Sequence, residues 1–152
     1  MTTSVTDASV HRAPLRELDP VTLYRMIRLR QDVFVLEQGI TEADLDGREL
    51  EEGAELLWIE QEGEVLGQLR ILAEPDGALR IGRLAVRADA RRGGLGRRLM
   101  ARAIALAGPG RLVRIDAQAH LEDWYASQGF QVTGPLFLEA GIEHVPMQLR
   151  AG

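Results

Sequence analysis

Residues 91–97 read Arg91, Arg92, Gly93, Gly94, Leu95, Gly96, Arg97, and arginine interleaved with glycine is a composition suited to an anion. Glycine carries no Cβ, so successive backbone N–H groups can converge on one concavity. An apolar, β-branched run over residues 81–86 precedes the glycines, and an amphipathic pattern follows them to residue 107. The segment predicts a strand, a glycine-rich turn and a helix N-terminus, whose dipole favours a phosphate.

Two familiar phosphate loops match poorly. A Walker A loop needs a lysine after its last glycine, and this chain contains none. Gly94-Leu95-Gly96 half-fills the dinucleotide pattern G-x-G-x-x-G, with Asp116 downstream, but Leu99 stands where the third glycine belongs. Other chemistry is sparse. Tyr125 shares a helical face with Leu121 and Trp124, and reads either as a core aromatic or as a proton donor. His11, His120 and His144 are not clustered, so no metal is expected, and the absence of cysteine excludes disulfides and thiolate catalysis. Residues 37–55 are strongly acidic (Glu37, Glu42, Asp44, Asp46, Glu49, Glu51, Glu52, Glu55), either a solvated loop or a surface for a cationic substrate.

The elements that must position these residues follow from periodicity. With 152 residues, 45% hydrophobic and 27% charged, the chain suits one domain, residues 14–152, behind a flexible tail, residues 1–13. Asp19-Pro20 starts a helix to about residue 36, whose apolar stripe is interrupted by Arg30. Residues 56–60, 65–72 and 79–87 predict a three-strand antiparallel meander. The helix behind the glycines buries Leu95, Leu99, Ala103 and Leu106 and stops at Gly108-Pro109-Gly110. Residues 112–118 alternate as a strand and should lie parallel to the strand before the glycines, in a right-handed βαβ unit. A short helix over residues 121–128 and two strands, 131–138 and 143–149, complete a mixed α/β (α+β) sheet with helices on both faces. Net charge −5 argues against nucleic acid, and no apolar run reaches a membrane-spanning length of about 20 residues. With no signal peptide, cytoplasmic residence is expected.

Arg91-Arg92-Gly93-Gly94-Leu95-Gly96 matches the pattern [R/Q]-x-x-G-x-[G/A] that GNAT acetyltransferases place between a strand and a helix. About 30 residues on, Trp124-Tyr125-Ala126-Ser127-Gln128-Gly129-Phe130 resembles that family's second signature. The segments F-V-L-E-Q (34–38), D-L-D-G (44–47), A-Q-A-H-L (117–121) and G-I-E-H-V-P-M (141–147) resemble its ElaA-type branch, and the resemblance covers residues 15–150. Arg92 departs from the family, many of whose members carry a further glycine there.

The resemblance implies the GNAT fold, a mostly antiparallel sheet with one splayed parallel pair. It also implies acetyl-CoA as donor, an amine acceptor, no metal, and a homodimer as in relatives. Backbone N–H groups from Arg92 to Arg97 would meet the pyrophosphate, with Gly94 and Gly96 allowing close approach, while Leu84, Ala85 and Val86 pair with the pantetheine arm. The next strand would splay away at about Gln118, and Trp124 would join the CoA site. Tyr125 matches the family's general acid. The base is open among His120, His144 and Glu37, and Phe34, Glu37, Gln38 and Asp46 are expected to line the acceptor site. Two alternatives keep the fold: a CoA-binding module without turnover, and an acyl-homoserine-lactone-type synthase.

Overall fold

The Asp19 carboxylate accepts hydrogen bonds from the N–H groups of Val21 and Thr22, each at 3.1 Å, and Pro20 opens the helix, so α1 (Pro20–Arg30) starts where the sequence places it. In the computed structural model, which describes residues 9–152, α1 is followed by β2 (Glu55–Gln61), β3 (Glu64–Ala73) and β4 (Leu79–Val86). Then come α2 (Leu95–Ala107), β5 (Leu112–Gln118), α3 (Glu122–Ala126), β6 (Gln131–Val132), β7 (Phe137–Glu139) and β8 (Ile142–Arg150). Before them all stands β1 (Val10–Ala13), paired antiparallel with β2. The tail expected for residues 1–13 is corrected at its end by this strand, and residues 1–8 lie outside the described residues.

The sheet runs β1-β2-β3-β4-β5-β8-β6, with β7 also paired to β8, and every pairing is antiparallel except β4 with β5. Strict alternation assigns its two faces. Leu56 and Trp58 pack with Met26, Leu29, Val33 and Phe34 of the first helix. Leu57 and Ile59 face Leu95, Leu99, Met100 and Ala103 of α2. Both faces being covered, the middle of β2 and all of β3 but its ends are buried.

Two expectations needed revision. The first helix continues past Arg30 as a π-helical stretch, Gln31–Glu37, in which the Gln38 N–H donates to Val33 O five residues back at 3.0 Å. The strand expected over residues 131–138 is broken, because Pro135 has no N–H to continue the ladder on β8.

At Asp44, Asp46 and Glu49 the acidic segment is held by arginines rather than by solvent. Arg30 is 3% exposed and donates to Asp44 Oδ2 at 2.8 Å and Glu49 Oε1 at 2.6 Å. Arg70, 5% exposed on β3, holds Asp46 through both terminal nitrogens at 2.7 and 2.9 Å and reaches Glu49 at 3.1 Å. Arg83 pairs with Asp44 at 2.8 Å and Asp46 at 3.3 Å. Three carboxylates and three guanidiniums thereby clamp residues 44–49 over the sheet, and the apolar stripe of α1 tolerates Arg30 because its charge is matched. Removing Arg30 leaves Asp44 to Arg83 and Glu49 to Arg70, with one guanidinium too few for three carboxylates, so Arg30→Ala should cost about 2–3 kcal/mol, read as a lower urea midpoint.

The hydrogen bonds from Arg70 hold the Asp46 carboxyl well below the usual carboxylate range. A carboxylate with a depressed folded-state pKa contributes stability above its unfolded value, near 3.9, and loses it as the pH falls further. Acid titration of unfolding should show this loss below about pH 4, and Asp46→Asn should flatten that limb.

Candidate active site

The site begins where two strands part. β4 and β5 pair only at Leu79 with Val113 and Arg80 with Arg114, so the splay opens at Ile81 and Ile115, earlier than the expected Gln118. Opposite Leu69 of β3, β4 carries a bulge: the register jumps from Gln68–Ala85 to Arg70–Gly82, and Arg83 takes a φ of 53°. The Gln68 side chain, fully buried, donates from Nε2 to Arg83 O and pins the bulge. Beyond it, β3 takes one edge of β4 through Gly67–Val86 and Gln68–Ala85. The other edge, along Leu84, Ala85 and Val86, makes no pair with β5.

At the end of β4 a 3₁₀ stretch, Ala88–Gly93, leads to Gly94, whose φ of 75° suits glycine, and α2 begins at Leu95 without a side-chain cap. The first N–H groups of a helix have no partner within it, which leaves those of this turn available to an anion. Gly96 also has a packing role. A Cβ there would lie 3.2 Å from the Trp124 indole, so its lack of a side chain admits α3 against α2. Arg97 covers the same indole, 5.7 Å from the ring centroid, and donates to Ser127 Oγ at 2.7 Å. Arg91 is held by Glu37 at 2.6 and 2.7 Å and donates to Val86 O at 3.0 Å. Arg92 is exposed beside them.

Below the splay lies a cavity of about 320 Å³ that gathers Phe34, Gln38, Asp46, Leu84, Gln118, Tyr125 and His144. Its floor is apolar, with Leu72, Ile81, Met100 and Ile115, and its walls are charged. Gln118 Nε2 donates to Gln38 Oε1 at 2.9 Å, tying the end of the first helix to the splayed strand. Tyr125 is 8% exposed, in edge-on contact with Trp124 at 4.8 Å and Phe130 at 6.0 Å, and burial pushes its phenol up to about 12. It is thus a protonated donor at neutral pH. His144 is 8% exposed, and its Nδ1 meets Ile142 O at 2.8 Å, which places a proton on Nδ1; in the neutral imidazole Nε2 then carries the lone pair.

Not every candidate converges. His120 is exposed on the 3₁₀ turn Ala119–Leu121 and does not line the cavity. Glu37 lies outside it as well, and the Arg91 hydrogen bonds hold its carboxyl below the usual range, which makes it a weaker base. Asp46 lines the cavity, yet Arg70 and Arg83 already occupy its oxygens. Glu139, Gln68 and Arg83 were not singled out in the sequence. The one signal for the last two is polar residues inside otherwise apolar strands.

A parallel pair splayed over a glycine-turn helix matches known architecture. Residues 28–151 match the family model described as the acetyltransferase (GNAT) domain. The chain belongs to the GNAT family. Among GNAT relatives, a UPF0039 protein of Mycobacterium tuberculosis is 43% identical over 148 residues, covering 95% of this chain and 94% of that one. Escherichia coli ElaA is 32% identical over 136 residues, covering 86% and 89%. Its crystal structure superposes with a TM-score of 0.86, covering 94% of this chain and 99% of that one. An acyl-CoA N-acyltransferase of Pseudomonas aeruginosa also gives 0.86, at 32% identity over 93% and 99%. The GNAT fold is one of acyl-CoA-dependent acyl transfer.

Because Gly96 faces Trp124, Gly96→Val should displace the indole and tilt the start of α2. We expect a shifted tryptophan emission and CoA binding weakened at least about tenfold by calorimetry.

Proposed function

We propose that the chain is an N-acetyltransferase moving the acetyl group of acetyl-CoA to a primary amine of a small molecule or peptide, by direct transfer in a ternary complex. The observation that carries this reading is that Tyr125 and His144 line one cavity beside the unpaired edge of β4.

The chemistry is divided among named groups. The backbone of Leu84, Ala85 and Val86 pairs with the pantetheine arm as a strand would, and the N–H groups from Arg92 to Arg97 receive the pyrophosphate. Backbone N–H groups at the bulge polarise the thioester carbonyl, the logic of an oxyanion hole. His144 Nε2 takes one proton from the acceptor ammonium. The neutral amine then attacks the carbonyl carbon, the C–S bond breaks, and the thiolate takes the Tyr125 proton. The second amine proton returns to the tyrosinate as the amide forms. The sum is one acetylated amine, one free thiol and one proton to water.

The wall charges favour an amine over an anion. Arg48, Arg70, Arg80 and Arg83 all line the cavity, and each is already paired with carboxylates: Glu51, Asp46 with Glu49, Glu74 with Asp116, and Asp44 with Asp46 respectively. An anionic acceptor therefore finds no uncommitted guanidinium on these walls.

Calorimetry with acetyl-CoA, followed by a transfer screen over amines, polyamines and peptides, tests the reading. Binding with transfer to at least one amine is expected, and no CoA binding overturns it. Tyr125→Phe should lower kcat about 100-fold or more while leaving the CoA Kd within about twofold. An unchanged kcat in single-turnover experiments would remove Tyr125 from the acid role.

A further inference from the structure

We propose that Glu139 and His144, on the two strands of the β7–β8 hairpin, form the subsite for the acceptor's ammonium group, with the Glu139 carboxylate holding it beside His144 Nε2. This rests on the amine-transfer reading above and assigns the end of the site that binds the acceptor.

The hairpin places the pair by register. Phe137 stands opposite His144, and Glu139, two residues on, projects from the same face of β7. The Phe137 ring stacks on the imidazole at 5.8 Å with an interplanar angle of 27°, while Ile142 O holds Nδ1 at 2.8 Å. The imidazole is therefore fixed in plane and in tautomer, with Nε2 turned toward Glu139.

The gap between the two groups fits a small cation. Nε2 and Glu139 Oε2 are 3.8 Å apart, longer than a hydrogen bond, so neither satisfies the other. A primary ammonium has three N–H donors and can sit about 2.8–3.0 Å from each. The His144 side chain is 10% exposed and that of Glu139 is 53% exposed, so the carboxylate stands at the rim and the imidazole inside. Glu139, Ala140 and His144 line the same cavity as Tyr125. Glu139 also differs from Asp44, Asp46 and Asp116 on these walls. Those three are neutralised by arginine, whereas Glu139 faces the His144 imidazole across 3.8 Å. Its charge remains available to a ligand. Once the ammonium gives one proton to Nε2, the imidazolium faces the carboxylate, and its proton leaves to water at the exposed rim.

The test compares Glu139→Gln and Glu139→Asp with the unmodified enzyme, using acetyl-CoA and two nucleophiles: butylamine, a cation near neutral pH, and methoxyamine, which is uncharged there. Glu139→Gln should raise KM for butylamine about tenfold, the size of one charge-assisted hydrogen bond at a half-exposed site, with acetyl-CoA binding unchanged. KM for methoxyamine should stay within about twofold, and Glu139→Asp should recover part of the loss. A structural role for Glu139 would affect both nucleophiles alike. Equal effects on the two, or none, would overturn the subsite and leave the amine-transfer reading standing. Failure of the unmodified enzyme to acetylate either nucleophile would count against that reading, and the subsite with it.

Discussion

β4 and β5 are parallel strands joined by two residue pairs, Leu79 with Val113 and Arg80 with Arg114, and beyond those pairs their backbones separate inside an otherwise continuous sheet. Backbone N–H and C=O groups in a sheet interior require partners, and leaving a strand edge open there costs free energy unless water or a ligand supplies them. The fold sustains the gap by bracing its sides. The bulge at Arg83 bends β4, and the buried Gln68 amide holds it. On the far side β5 remains paired with β8 along its whole length, from Leu112 with Arg150 to Gln118 with His144. The opening is thus rigidly walled. A ligand with alternating amide donors and acceptors, such as a pantetheine arm, suits it.

The guanidiniums around the gap are matched by carboxylates before any acceptor arrives. A chain without lysine builds this arrangement from arginine, whose planar fork can engage two carboxylates at once, as Arg30 does with Asp44 and Glu49. One consequence is structural: residues 44–49 are pinned over the sheet and become one wall of the cavity. The other is chemical, because paired guanidiniums do not compete for a substrate. Glu37 and Arg91 make a further link, joining the π-helical end of the first helix to the glycine turn. The glycine turn and the end of the first helix therefore share a contact.

Much of the scaffold was legible because its signals are local. Asp19-Pro20, the turns at Gly63 and Gly77, and the stop at Gly108-Pro109-Gly110 mark element ends through capping and φ preferences that depend on a few neighbouring residues. The apolar face of α2 follows from period alone, with Met100 and Ala107 replacing Leu106 as its most buried members. Misreadings occurred where partners are distant in sequence. β1 looked like tail because Val10–Ala13 is short and polar, and it is a strand because β2 offers an edge to pair with. The acidic stretch read either as a solvated loop or as a surface for substrate, and the arginine partners of Asp44, Asp46 and Glu49 come from α1, β3 and β4.

The sequence by itself determined the order of elements from α1 to α3, the glycine turn before α2 and the presence of Tyr125 in the signature that follows. Each of these is written in residue type and spacing within one short segment. Only the tertiary structure separates His144, which lines the cavity, from His120, which does not; as isolated histidines they are equivalent. The register of β8 on β5 and β7 buries one in the cavity, and the turn after β5 leaves the other in solvent. The same holds for Glu139. Its relation to His144 depends on a hairpin whose two strands meet through backbone hydrogen bonds, an interaction that carries no side-chain signature.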